Sequence, residues 1–239
     1  MPGSNRRRVL LVGNSVSLPP REGVVAYPEL LETRLDDQWQ VVKIIRGGQT
    51  VDQFESEIVT ALEEKAPRAL ILQVGVNECG PRPLKRQERE RLGRVRPAWL
   101  RSFLIRGIHE FRPQIIRARG PNPFTSISAF ADSVQGIIAK AVSLRCAVLI
   151  LPITQVSPMA EIRQPFFNRE IDRYNDILRS IKGNGVSYLE QHEVLGKAGP
   201  EDFCITPESV HLNGWAHEKL AAYLADWLEC PPNTSGSQV

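Results

Sequence analysis

Cysteine is scarce in this 239-residue sequence, which has four cysteines and no CxxC pair. They lie far apart, at Cys79, Cys146, Cys204 and Cys230. Disulfide-rich secreted proteins carry many cysteines in short chains, and cysteine zinc sites need thiolates at close, regular spacing. The sequence therefore argues against a disulfide framework or a zinc site, and it favours the reducing cytoplasm as the location of the protein.

Long apolar runs are also missing. The first apolar run follows the three arginines at 6–8, but it covers only residues 9–12 before Gly13 interrupts it. The apolar core of a signal peptide is longer, and a membrane-spanning helix needs about 20 apolar residues. We therefore expect neither a signal peptide nor a membrane span.

Two common motifs and internal repeats are absent as well. No GxxxxGK sequence follows the first apolar run, which excludes a phosphate-binding loop of that type. The segment HEKLA at His217 lacks the second histidine of the HExxH zinc pattern, because Ala221 takes its place.

Apolar runs that alternate with helix-like segments are the main feature present. Five such runs occur, at residues 9–12, 41–45, 69–74, 146–151 and 186–189. This alternation predicts an α/β fold with a parallel sheet covered by helices on both faces. The pattern also predicts helices that begin near Thr50, Ser126, Phe166 and Asn213. The length suits one domain, which we place at residues 1–230, followed by a disordered tail over 231–239.

Positive charge is concentrated in one segment of the chain. Residues 82–119 contain twelve Lys or Arg but only three Glu, although the whole chain has a net charge of +3. The surrounding stretch, about 80–123, is longer than one crossover needs and contains six prolines, so we predict an insertion above the sheet. It is either a solvated helical surface or a surface that attracts nucleic acid, acidic lipid or an anionic substrate.

Small polar residues follow the first three predicted strands. Ser15 follows the first, Gly47 and Gly48 follow the second, and Asn77 follows the third. If the strand order is 2-1-3, these three loops are neighbours at the edge where parallel sheets bind ligands. Each residue also has a plainer explanation, since Ser15 suits a turn, Gly48 supplies positive φ and Asn77 can satisfy loop backbone groups.

The same residues suit attack on an ester carbonyl. A serine hydroxyl is a weak nucleophile until a base takes its proton, and the negative oxygen that forms needs hydrogen-bond donors. Ser15 is the candidate nucleophile, and the Ser15 N–H, the Gly48 N–H and the Asn77 amide are candidate oxyanion donors. His211 is the candidate base, because Glu208 precedes it by three residues on a loop before a helix and can orient the imidazole.

Four short blocks of this sequence resemble those of the SGNH hydrolases, the GDSL-like lipase and acylhydrolase family. They are VLLVGNSVS, RGGQT, LQVGVNEC and ESVHLNGWAHEKLA, which occur in the family's order over nearly the whole chain. The resemblance implies a flavodoxin-like three-layer α/β/α sandwich with a five-stranded parallel sheet. It also implies Ser15 as nucleophile and oxyanion donor, Gly48 and Asn77 as further donors, and His211 as base. No metal or cofactor is implied.

Two residues depart from the family's pattern. Asn14 stands where the family usually has Asp, which keeps hydrogen-bonding capacity but removes a charge. Glu208 also stands where the family usually has Asp, and its extra methylene changes the reach of the carboxylate toward His211.

The leading prediction is a serine esterase or deacylase that hydrolyses an acyl ester of a small molecule or glycan through a Ser15–His211–Glu208 triad. An acyltransferase using the same serine is the alternative, because the insertion can cover the site while an acceptor binds. A non-catalytic binding protein that uses residues 82–119 is the third hypothesis, with nucleic acid a disfavoured partner. The sequence leaves open the acyl chain, the leaving group and the oligomeric state.

Overall fold

Five parallel strands form the central sheet of the protein. The computed structural model describes residues 6–35 and 37–232. The strands are β1 (Arg7–Gly13), β2 (Trp39–Ile45), β3 (Ala69–Leu72), β4 (Ala147–Ile150) and β5 (Val186–Tyr188). They lie in the order β2-β1-β3-β4-β5, and every neighbouring pair is parallel. The α/β class and the five-stranded parallel sheet predicted from the sequence are confirmed. The observed order contains the 2-1-3 arrangement that makes the loops after the first three strands neighbours.

The burial of the strands explains why their sequences are so apolar. In β1 the residues from Val9 to Val12 are all fully buried, and all four residues of β3 and of β4 are buried. These three strands lie in the middle of the sheet and are covered on both faces, which favours continuous apolar runs. The edge strands β2 and β5 are only partly buried.

Twelve helices are formed by the described residues. They are α1 (Tyr27–Arg34), α2 (Glu55–Lys65), α3 (Val76–Cys79), α4 (Arg86–Gly93), α5 (Ala98–Glu110), α6 (Arg112–Arg119), α7 (Ile127–Ser143), α8 (Pro158–Arg163), α9 (Phe167–Ser180), α10 (Gln191–Leu195), α11 (Pro200–Phe203) and α12 (Gly214–Glu229). Helices α1 and α12 pack together, while α2 and α9 each contact α7. None of the described helices is long and apolar enough to cross a membrane.

Side-chain caps mark two of the four helix starts predicted from the sequence, whereas α9 begins after Phe166 without one. The Ser126 hydroxyl accepts a hydrogen bond from the Ala129 N–H at 3.2 Å, and Asn213 accepts one from the Ala216 N–H at 3.0 Å. After Thr50 the chain first makes a 3₁₀ turn, Val51–Gln53, and only then enters α2. Such caps satisfy backbone N–H groups that have no partner within the helix.

The basic segment predicted as an insertion forms α4, α5 and α6 between β3 and α7. Neither α4 nor α5 buries a single residue, and Ile116 is the buried residue of α6. The segment is therefore helical, with its helices outside the apolar core. Of the predicted tail, residues 233–239 lie outside the described part of the chain.

Candidate active site

Ser15 begins a 3₁₀ turn, Ser15–Ser17, directly after β1. The turn is tight, because a Cβ at Gly13 would lie only 2.1 Å from the Ser17 hydroxyl oxygen. The Asn14 side-chain oxygen accepts a hydrogen bond from the Val16 N–H at 2.9 Å, so the amide caps this turn without a negative charge. Ser15 itself is partly exposed, which makes it accessible at the carboxyl end of β1.

The loop after β2 lies beside Ser15. The Arg46 N–H donates to the Gly13 carbonyl at 3.0 Å and extends the β1–β2 ladder past the strand end. A Cβ at Gly47 would lie 3.9 Å from the Ser15 Cβ, so the two backbones are close. Gly48 has φ of +74° with no atom within 4 Å of where its Cβ would be, and its backbone therefore borders open space.

Asn77 and Glu78 hold this loop against the end of β3. The Asn77 side-chain amide donates to the Gln49 carbonyl at 2.8 Å, which uses one of its two hydrogens. The buried Glu78 carboxylate accepts from the Val51 N–H at 2.6 Å. Burial raises the Glu78 pKa to about 7, although hydrogen bonds from backbone N–H groups act in the opposite direction. The two side chains thus connect the ends of β2 and β3 at the position predicted for the oxyanion donors.

His211 lies on the loop before α12 and next to the Ser15 backbone. Its main-chain carbonyl accepts from the Ile205 N–H at 2.9 Å, and its own N–H donates to the Ser209 hydroxyl at 2.9 Å. Burial lowers the His211 pKa, while a hydrogen-bonding interaction with the Ser15 backbone raises it. The lowered pKa favours the neutral imidazole, which is the form that can accept a proton.

The predicted contact between Glu208 and His211 is not formed in this structure. The Glu208 carboxylate pairs with the Arg163 guanidinium of α8 at 2.9 Å, at the exposed end of both side chains. The His211 Nδ1 atom is buried and has no hydrogen-bond partner among the described residues. In the ion pair with Arg163 the Glu208 carboxylate stays in contact with water. Contact with the His211 imidazole would require the carboxylate to be partly buried, which costs solvation free energy.

His217 is a buried residue of the site that the sequence analysis considered only as a failed zinc motif. Its Nδ1 atom accepts from the Tyr27 N–H at 3.2 Å, and its ring stacks on Tyr27 with centroids 6.0 Å apart. Burial, with a smaller contribution from the nearby His211, lowers the His217 pKa to about 4. His217 is therefore neutral, and it fixes the start of α1 against α12 behind His211.

A buried polar network supports the turn that carries Ser15. The Ser17 hydroxyl donates to the Gln73 side-chain oxygen at 2.6 Å, and the Tyr27 hydroxyl donates to the same oxygen at 3.0 Å. Such a satisfied network holds its members in one arrangement. The sequence pattern contained no signal for it, because the three residues lie on different elements.

The structure therefore brings Ser15, Gly48, Asn77 and His211 to one edge of the sheet and leaves Glu208 paired elsewhere. Gly48 lines a cavity of about 370 Å³, and Glu208 lines another of about 560 Å³. Within the described residues, no three His, Cys, Asp or Glu side chains are arranged to hold a metal ion. The arrangement contains a hydroxyl, a neutral imidazole and N–H donors, which are the parts that acyl transfer requires.

A comparison with models of protein families shows the family to which this chain belongs. The model of the GDSL-like Lipase/Acylhydrolase family matches residues 11–219, which is most of the chain. The chain belongs to the GDSL-like lipase/acylhydrolase family. The resemblance drawn from the four sequence blocks is thereby confirmed, and this GDSL-like protein is a member of an esterase-type hydrolase family.

Solved structures share the fold of this GDSL-like protein at low sequence identity. The lipase/acylhydrolase from Enterococcus faecalis aligns with a TM-score of 0.63 and 11% identity, over 97% of this chain and 100% of that one. A catalytic mutant of Axe2, an acetylxylan esterase from Geobacillus stearothermophilus, aligns with a TM-score of 0.59 and 14% identity, over 97% of each chain. The acetyl xylan esterase AlAXEase aligns with a TM-score of 0.60 and 19% identity, over 93% of this chain and 99% of that one. A search of curated proteins found no match.

Proposed function

We propose that this GDSL-like protein is a serine esterase or deacylase in which Ser15 is the nucleophile and His211 the base. The observation that carries the proposal is the position of a partly buried imidazole, with lowered pKa, against the Ser15 backbone. An imidazole that is neutral near pH 7 can take the proton of a serine hydroxyl. The step requires Ser15 Oγ to turn toward the imidazole in the substrate complex.

In the proposed reaction Ser15 Oγ attacks the acyl carbonyl carbon while His211 accepts the hydroxyl proton. The negative charge that forms on the carbonyl oxygen is bound by the Ser15 N–H, the Gly48 N–H and the Asn77 amide. His211 then gives its proton to the leaving alkoxide, and an acyl-enzyme remains. Water attacks this ester with His211 again as base, and the carboxylic acid is released.

Glu208 has a conditional role in this proposal. To orient His211 through Nδ1, its carboxylate must leave Arg163 and become partly buried. The extra methylene of Glu changes the reach of this carboxylate relative to Asp. We therefore assign catalysis to Ser15 and His211, and we propose Glu208 as an orienting residue only in a rearranged state.

Acetylated carbohydrates are the first substrates to test. Two of the structural relatives are described as acetylxylan esterases. The cavity of about 370 Å³ beside Gly48, which Arg86, Arg89 and Phe124 also line, offers room for the acyl or alcohol portion. The same cavity is what favours acyl transfer as the second function, because an acceptor held there would compete with water for the acyl-enzyme.

Labelling with a fluorophosphonate tests the proposal without knowledge of the substrate. We expect the wild-type protein to be labelled on Ser15, as read by peptide mass spectrometry, and the Ser15→Ala variant to stay unlabelled. Ser102→Ala, at an exposed serine of α5, is the matched control and should label as the wild type does. Equal labelling of the wild type and Ser15→Ala would reject the proposal and favour a binding protein.

A further inference from the structure

Three arginines converge on one cavity next to the proposed active site. Arg82 after α3, Arg89 of α4 and Arg112 of α6 line a space of about 410 Å³, which we call the arginine cavity. The guanidinium groups of Arg82 and Arg89 lie 4.5 and 4.6 Å from the centroid of the Phe124 ring. Stacking on an aromatic ring holds a guanidinium in place while its N–H edge stays free.

No carboxylate neutralises these arginines. None of the described residues that line the arginine cavity is Asp or Glu, and Arg82, Arg89 and Arg112 take part in none of the ion pairs of the described chain. Glu88 and Glu90, which flank Arg89 in the sequence, pair with other arginines, Arg119 and Arg86.

Several donors in the cluster also lack partners. The Nε atoms of Arg82 and Arg112 are buried without a hydrogen bond to any described residue. The Arg112 guanidinium donates only to neutral oxygens, the Pro81 carbonyl at 2.9 Å and the Gln164 side chain at 3.0 Å. Burial together with the charges of Arg112 and Arg89 lowers the Arg82 pKa to about 10. Arg82 and Arg112 are partly buried and Arg89 is exposed, and partly buried cations without an acidic partner favour a ligand that supplies the missing charge.

The arginine cavity shares lining residues with two other cavities. Arg89 also lines the cavity that contains Gly48, the proposed oxyanion donor. Arg82 and Arg112 also line the cavity that contains Glu208, three residues before His211, along with Glu110 and Arg163. A ligand group bound by the three arginines would therefore lie next to the cavity that Gly48, a proposed oxyanion donor, lines.

We propose that Arg82, Arg89 and Arg112 bind the carboxylate or phosphate group of an amphiphilic substrate. The apolar part of that substrate would occupy the rest of the arginine cavity, which is lined by Leu84, Leu92, Ile105 and Ile108. Guanidinium forks match the oxygen geometry of both anions, and apolar walls match a hydrocarbon chain. The inference names the substrate class of the proposed esterase and in that sense rests on the proposed function.

Equilibrium binding to the catalytically inactive Ser15→Ala variant tests this site separately from catalysis. The probes are octanoate, octyl phosphate and the neutral octanol, titrated calorimetrically at constant ionic strength. We expect both anions to bind at least about ten-fold more tightly than octanol, since a charge-assisted hydrogen bond is worth that much or more. The tighter of the two anions identifies the natural group, and equal binding of octanol overturns the proposal.

Substitutions locate the binding within the protein. Arg82→Gln and Arg89→Gln should each weaken anion binding about ten-fold and leave octanol binding unchanged. Arg89 lies on a helix that buries no residue, so its replacement leaves the core intact even if Arg82→Gln fails to fold. Arg117→Gln, an exposed arginine of α6, is the matched control and should bind as the parent does.

Two outcomes would contradict the site. Anion affinity that is unchanged in Arg89→Gln, or lowered equally in Arg117→Gln, would show diffuse surface attraction instead of a pocket. Tighter binding of a single-stranded oligonucleotide, with steep salt dependence, would assign the arginines to nucleic acid. Anion binding that behaves as expected in a protein that fails fluorophosphonate labelling would reject the esterase while leaving the anion site established.

Discussion

In the central strands β1, β3 and β4 almost every side chain is buried, whereas α4 and α5 of the basic segment bury none. Trp99 and Phe103 of α5 are 70% and 69% exposed, although such residues usually pack in a core. The strand ends are joined by a hydrogen bond that Asn77 donates to the Gln49 carbonyl and by a buried one that Glu78 accepts from the Val51 N–H. Arginines of the basic segment bond to backbone carbonyls and to Glu88 within the segment, and Arg112 also donates to Gln164 at the end of α8.

This difference indicates that the strand ends suit catalysis and that the basic segment suits ligand recognition. Groups that must hold a reacting atom need positions fixed by packing and by satisfied buried hydrogen bonds. A layer that buries few residues and presents many charges interacts with solvent in a salt-dependent way, and it is well suited to recognise a charged ligand. We therefore expect substitutions at the strand ends to change the chemical step or the fold, and those in the basic segment to change substrate choice.

The largest effect is expected for His211→Gln. Loss of the base should lower kcat for p-nitrophenyl acetate by about 10³-fold or more, while the melting temperature changes little. In the wild type, activity should fall on acidification with a midpoint below the ordinary histidine value of 6.5, because burial lowers the His211 pKa. Arg117→Gln in the basic segment is the control, and its kcat should match the wild type. A wild-type rate in His211→Gln would exclude the imidazole as base.

A smaller effect, on stability, is expected for Glu78→Gln. The folded protein raises the Glu78 pKa from 4.5 to about 7, so the protonated form is the one that the fold favours. The wild type should therefore lose stability as pH rises from about 4.5 to about 7, by roughly 1–3 kcal/mol. The amide cannot ionise but still accepts from the Val51 N–H, so Glu78→Gln should remove this loss.

Urea unfolding at pH 4.5, 6 and 8 measures the Glu78 effect. The difference in unfolding free energy between Glu78→Gln and the wild type should grow with pH. Glu64→Gln, at an exposed position of α2, serves as the control and should show a constant difference. Parallel pH profiles for wild type and Glu78→Gln would show that folding does not shift the Glu78 pKa.

The smallest effect is expected at the boundary between the two regions, where Glu208 pairs with Arg163. If Glu208 turns to His211 during catalysis, Glu208→Gln should lower kcat about ten-fold or more, because the imidazolium loses a charged partner. Arg163→Gln should then leave kcat unchanged or raise it, since the competing partner is gone. Equal and small effects of both substitutions would restrict Glu208 to the surface ion pair and leave a Ser15–His211 dyad.

Much of the fold could be predicted because the signals are local. Continuous apolar runs identified the strands that are buried on both faces, and Ser126 and Asn213 marked helix starts through caps that involve neighbours along the chain. The strand-end residues Ser15, Gly48 and Asn77 could be identified from the sequence for a similar reason, since parallel strands place their carboxyl ends at one edge of the sheet. Their chemical roles stay proposals.

Other features depended on side chains that are distant in sequence. The bond from the Val51 N–H to Glu78 joins residues 27 positions apart, and the contact of Tyr27 with His217 spans 190. The spacing of Glu208 and His211 predicted a contact, but Arg163, from a separate helix, is the partner that Glu208 has in the fold. Hydrophobic periodicity and residue spacing carry no information on which of two possible partners a side chain contacts in the folded protein.

The sequence alone determined the layered α/β architecture, because alternation of apolar strands and amphipathic helices depends on neighbours along the chain. It also determined which residues stand at the strand ends, since strand termini follow from composition. Only the tertiary structure decided that Glu208 pairs with Arg163, that Glu78 is buried, and that three arginines share one cavity without an acid. Burial and charge pairing are properties of the packed chain, because both depend on which distant residues exclude water from a group.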